Sequence, residues 1–129
     1  MKSFLATFIG VFVAIFAMMG IQMVGHNVFP VPPEINFEDP ASLSENMHLI
    51  PAGSFIFILL AHSLGQLFGL LTAKLIDKTS AYPVYIIAGF LLLGTVANLV
   101  MIPHPVWFSI VDVLLMIAVA LPFVLSKKK

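Results

Sequence analysis

Four long apolar stretches constrain this chain more than any other feature. They cover about residues 4–25, 52–76, 82–102 and 106–125, and the only charged residues inside them are Lys74 and Asp112. At about 1.5 Å per residue, each is long enough to cross the ~30 Å hydrocarbon core of a bilayer. Backbone groups in hydrocarbon must find their partners within the segment, so such stretches fold as helices. Composition agrees: 60% of residues are hydrophobic and 9% charged, with a mean hydropathy of +1.10, against about a quarter charged in soluble domains. The expectation is an all-α single integral-membrane domain over residues 1–129. It would be an antiparallel four-helix transmembrane bundle with the lipid bilayer as its main partner.

A secretory leader is the competing reading of the first stretch. The length of the apolar part, the single leading Lys2 and the lack of a clear A-x-A cleavage site favour a retained helix. Residues 26–51 form the only long polar segment. Pro30, Pro32 and Pro33 should hold its start extended. Asp39-Pro40 reads as an N-cap followed by the first residue of a short helix ending near Leu49. Leu43, Met47 and Ile50 share one face of that helix, which should cap the bundle or lie on the membrane surface. The other connections, Asp77–Ser80 and Pro103–Pro105, are tight turns that force antiparallel neighbours. Tyr82, Tyr85 and Trp107 belong at the headgroup level, and Pro122 would kink the last span.

With four spans, every lysine (Lys2, Lys74, Lys78 and Lys127–Lys129) falls on one side, and the chain has no arginine. The loop on the other side carries Glu34, Glu38, Asp39 and Glu45. The positive-inside rule then places both termini in the cytoplasm and the 26–51 loop outside. No internal repeat is visible, which gives no support to an inverted-repeat transporter.

Within the second span Ala61, Gly65, Gly69 and Ala73 recur every fourth residue, a smooth strip for helix packing. Ala6, Gly10, Ala14, Ala17 and Gly20 make a matching strip in the first. The two helices are expected to pair through these strips, with contact to a second copy or to another membrane subunit as the alternative use.

Polar side chains gather in the outer half. His62 lies near mid-membrane, Gln66 a turn deeper, Asn98 near the outer end of the third span, and Asp112 about two turns into the fourth. A lone carboxylate inside a span costs about 2.5–3.5 kcal/mol on insertion scales, so Asp112 should face protein or water. Its candidate partners are Asn98, His62 and His104. Two readings stand: a proton or cation site formed by His62, Asp112, Asn98 and Gln66, or a hydrogen bond that only fixes helices together, worth roughly 0.6–2 kcal/mol.

Met19, Met23, His26 and His104 offer thioether and imidazole ligands of the kind that bind Cu(I), although methionine is also a common filler of apolar helices. Haem ligation would need two histidines at one depth on facing helices, and His62 lies deeper than His26 or His104. No cofactor is therefore expected. The lack of cysteine excludes disulfides, thiolate metal sites and cysteine nucleophiles. There is no basic patch for nucleic acid, no phosphate loop and no nucleophile elbow.

The segment Ala61-His62-Ser63-Leu64-Gly65, continuing to Gly69 and Ala73-Lys74, together with Met101-Ile102-Pro103, Pro105-x-Trp107-Phe108 and Asp112, resembles a family of small uncharacterised four-helix membrane proteins of bacteria. The resemblance covers roughly the last eighty residues. It implies a bacterial cytoplasmic (inner) membrane and carries no functional residue with it. The expected function is non-enzymatic, as a small membrane protein or an accessory subunit of a larger assembly. The alternative is a small proton- or cation-coupled transporter using His62 and Asp112.

Overall fold

The computed structural model describes residues 1–126; the expected Lys127–Lys129 tail lies outside them. The described residues form helices joined by turns and one long loop, with no strand among them. The helices are α1 (Lys2–Val28), α2 (Pro40–Asn46), α3 (Ala52–Ile76), α4 (Tyr82–Met101) and α5 (Val106–Leu125), and a 3-10 turn (Met47–Leu49) extends α2. All but α2 are long and apolar enough to cross a membrane, which marks the chain as a membrane protein.

The helix ends follow from local chemistry. Proline supplies the N-cap residue of α3 (Pro51) and of α5 (Pro105), and Pro83 lies in the first turn of α4. A missing N–H is harmless there, because first-turn donors have no intrahelical partner. At α2 the Asp39 carboxylate accepts from the Ala41 N–H at 3.0 Å, and Pro40 follows as the first helical residue. This is the expected capping arrangement. The first span is longer than expected at both ends. The last runs through Pro122 to Leu125 as a single helix.

The α3–α4 turn is organised by Asp77. Its Oδ1 accepts from the Thr79 N–H (3.0 Å), the Thr79 hydroxyl (2.8 Å) and the Ser80 N–H (3.1 Å). Its Oδ2 accepts from the Ser3 hydroxyl at 2.5 Å, tying the start of α1 to this turn. The Ser3 hydrogen bond, followed by those from Thr79, holds the Asp77 carboxyl well below the usual carboxylate range. The Lys74 ammonium donates to the Ser126 hydroxyl, so α5 ends here too. Lys2, Lys74 and Lys78 thus share one end of the bundle, and the loop with Glu34, Glu38, Asp39 and Glu45 covers the other.

Helix α3 is the centre of the bundle. It packs against α1, α4 and α5, and α4 also meets α1 and α5. Among the described residues α1 and α5 lie on opposite sides of the α3–α4 pair, with no close backbone approach. The α1–α3 interface is the most extensive, and it is built on small residues as expected. Ala6, Gly10 and Ala14 face Gly65, Gly69 and Ala73, all of them buried. A Cβ on Gly69 would stand 2.6 Å from the Gly10 carbonyl oxygen, so the two backbones are already in contact.

The α1 strip departs from expectation above Ala14. Ala17 is half-buried, and Gly20 has nothing within 4 Å of where its Cβ would be. The contact face continues through Met18, which lies over Gly65, and on to Gly25 against Phe57. Gly20 is six residues past Ala14, about 120° round the helix, and has turned away from α3.

The core around these strips is formed by apolar side chains. Leu70, Ile87 and Met116 are fully buried, with Val84 and Leu91 beside them. Much of the outer surface is apolar. On α1, Phe4, Phe8, Phe12 and Phe16 form an exposed ladder with neighbouring ring centroids 6.3, 4.8 and 6.1 Å apart. Such a surface suits acyl chains as solvent.

Candidate functional site

Of the three candidate partners for Asp112, the structure selects His62. The His62 Nδ1 lies 3.0 Å from Asp112 Oδ1 and 2.9 Å from Oδ2, so the ring nitrogen straddles the carboxylate. His62 is 9% exposed and Asp112 0%. With Asp112 ionised, the proton sits on Nδ1 and His62 donates. Nε2 is then an acceptor in the neutral ring and a donor in the imidazolium. The pair carries a net charge of −1 or 0 according to whether Nε2 holds a proton.

Aromatic rings cluster one turn from the pair toward the acidic end. Phe108, one turn before Asp112 on α5, is fully buried. It packs on Phe55 of α3 (5.3 Å between centroids) and stacks on the His104 ring (5.0 Å). Trp107 meets Phe55 edge-on at 6.0 Å. The sequence marked Trp107-Phe108 but gave no sign of Phe55, an ordinary apolar residue at the start of a span. His104 is held by its own backbone, with Nδ1 2.6 Å from the Ile102 carbonyl oxygen. Burial lowers the His104 pKa below the usual histidine value.

His62 also forms part of the wall of a cavity of about 670 Å³ at the acidic end of the bundle. Its walls come from α1 (Met19, Gln22, Met23, His26), from α3 (Ser54, Phe55, Ile58), from the far end of α4 (Asn98) and from Ile102 just beyond it. Leu43, Met47 and Ile50, the expected apolar face of the capping helix, form its roof. Asp112 is not part of the lining; the cavity stops at His62.

The other expected polar residues fall into two groups. Asn98 lines the cavity, half-buried, and is not bonded to Asp112. Gln66 is 1% exposed, and its Oε1 has no partner among the described residues. It faces a separate apolar space of about 210 Å³ between α4 and α5, bordered by Ala88, Gly89 and Met116. His62, Asp112 and Gln66 therefore form no continuous polar chain. Ser54 is a residue the sequence did not single out. Its Oγ is buried at the cavity wall and has no partner among the described residues.

Met19, Met23, His26 and His104 all border the same cavity. No group of three or more His, Cys, Asp or Glu side chains is placed to hold a metal ion among the described residues. His104 has one ring nitrogen committed to the Ile102 carbonyl.

Comparison with known protein families, with curated proteins and with solved structures finds no match to this chain. The motifs at residues 61–74 and 101–112 that resemble a bacterial membrane family find no counterpart there.

Proposed function

We propose that the protein is a non-enzymatic multi-pass protein of a bacterial cytoplasmic membrane that binds a ligand in its cavity, as an accessory subunit of a larger assembly. Both termini lie in the cytoplasm and the cavity opens on the opposite side. The observation that carries this reading is the dead end at His62. Below it, Leu70, Ile87 and Met116 close the core toward the lysine end, so the cavity supports binding from one side rather than passage. The outward faces of α4 and α5, with Leu93, Val100, Ile110 and Leu114 exposed, supply apolar surface for neighbouring subunits.

A second reading is proton- or cation-coupled transport. The buried His62–Asp112 pair favours it, because a proton arriving from the cavity at Nε2 would change the charge of the pair. Proteoliposomes holding the purified chain and a trapped pH dye separate the two. Binding alone gives no protein-dependent proton flux. A flux lost in both His62→Ala and Asp112→Asn would replace the first reading with the second. Co-purification of a stoichiometric membrane partner after mild detergent extraction tests the subunit role, and a clean monomer would count against it.

A further inference from the structure

We infer that the cavity beside His62 takes the head and upper chain of an uncharged, hydroxyl- and carbonyl-bearing bilayer amphiphile, which enters sideways between α1 and α4. The inference rests on the binding role proposed for this cavity and assigns its ligand class.

The sideways entrance follows from how α1 and α4 diverge. At the lysine end they touch, where a Cβ on Gly10 would meet the Ile87 side chain at 2.5 Å. At the acidic end the cavity separates them. There Met19 and Met23 of α1 form one wall, and Asn98 of α4 with Ile102 just past its end the other. Met19 and Met23 are 55% and 65% exposed, so that wall is open to the surroundings. Both helices are apolar enough to span a membrane, so the surroundings at this height are acyl chains. An apolar-walled space admits an apolar guest in preference to water, and about 670 Å³ is within the range of ligand pockets.

The polar groups define the head. Among the described residues no lysine lines the cavity, and the loop above it carries Glu34, Glu38, Asp39 and Glu45. A phosphate-bearing head would meet no permanent cation there, only imidazole rings. A cation would find no free carboxylate either, because Asp112 is fully buried, bonded to His62 and absent from the lining. What remains is a set with no fixed charge: the Ser54 hydroxyl, buried without a partner among the described residues, the amides of Gln22, Asn27 and Asn98, the His26 and His104 rings, and the His62 nitrogen not engaged by Asp112. With the ring neutral, Nε2 accepts from a ligand hydroxyl. Ser54 and Asn98 donate to a carbonyl or ether oxygen. A partial acylglycerol carries this whole set; an isoprenoid quinol, with hydroxyls but no ring carbonyl, supplies the hydroxyl half alone.

The test uses the full chain in lipid nanodiscs with a diazirine-bearing monoacylglycerol as photoprobe, mapped by peptide mass spectrometry. The expected result is labelling concentrated on Met19, Met23 and Ile58 and competed by unlabelled monoacylglycerol or by a short-chain isoprenoid quinol. Whichever competes at lower concentration identifies the source. Asn98→Leu and Ser54→Ala should each raise the competing concentration about tenfold, the loss of one buried hydrogen bond. Phe90→Ala, at an exposed position on α4, should leave it unchanged. Ile58→Trp, made to fill the cavity, should abolish the labelling of Met19 and Met23; if it does not fold, Asn98→Leu at its half-exposed position still decides the matter. Preferential labelling of the cavity by a phosphatidylglycerol probe would overturn the neutral-head assignment and leave the binding role standing. Labelling spread evenly over the lipid-facing residues of α4 and α5, whichever probe is used, would overturn both.

Discussion

The Gly10 carbonyl oxygen occupies the space that a Cβ on Gly69 would need, at 2.6 Å, and the Ala14 methyl stands 2.8 Å away on the other side. The nearer obstacle is backbone and cannot rotate aside. Gly69→Ala should therefore push α1 away from α3 and cost about 1–3 kcal/mol, as overpacking does. Gly20→Ala meets nothing within 4 Å and should be neutral or stabilising by up to about 1 kcal/mol, since alanine is the better helix former. Reversible unfolding in mixed micelles measures both. Equal effects at the two positions would contradict the packing described.

The His62–Asp112 pair gives a sharper contrast. His62→Ala leaves a buried carboxylate without a partner and should destabilise by about 3–5 kcal/mol. Adding Asp112→Leu removes the stranded charge, so the double variant should recover much of that loss. A double-mutant cycle by micelle unfolding reads the coupling. Additive effects would mean that the two side chains do not interact.

Much of this was legible beforehand because hydrocarbon leaves a chain few choices. Long apolar runs became helices, Asp39-Pro40 became a cap, and the strip from Ala61 to Ala73 became the seam against α1. His62 was one of three candidate partners for Asp112, and helix depth alone could not choose among them. The choice needed the rotation of α3 against α5, which packing sets. The α1 strip failed above Ala14 because a search for small residues cannot see a large one that complements a glycine, as Met18 does over Gly65. Asp77 read as a turn residue. Its bond to Ser3 joins residues 74 apart in sequence, and only shared location at the lysine end could have suggested it.

Asp77 sets an acid limit on the clamp between α1 and the α3–α4 turn. Its carboxyl is held below the usual range by Ser3 and then Thr79. A carboxylate with a lowered folded pKa stabilises above its unfolded value, about 3.9, and loses that contribution as pH falls through the folded one. The clamp should be complete above about pH 4 and weaken only below it. Ser3→Ala should raise the pH at which amide protection near residues 3–7 is lost, as followed by hydrogen exchange. An unchanged acid profile would rule out the clamp.

His104 should titrate below the ordinary histidine value of about 6.5, because burial against Phe108 disfavours the imidazolium. Its neutral form then prevails at pH 7, and any stability linked to that form is lost as pH falls through the lowered pKa. NMR titration of the His104 ring checks this. Phe108→Ala should open the site and return the midpoint toward 6.5.

Sidedness is the most direct test of the whole proposal. The chain has no native cysteine, so Glu38→Cys in the loop and Lys78→Cys in the α3–α4 turn are clean reporters for a membrane-impermeant thiol reagent on intact bacterial cells. A cavity that opens away from the cytoplasm predicts labelling of Glu38→Cys at once and of Lys78→Cys only after the membrane is permeabilised. Labelling of both positions from the same side would contradict it.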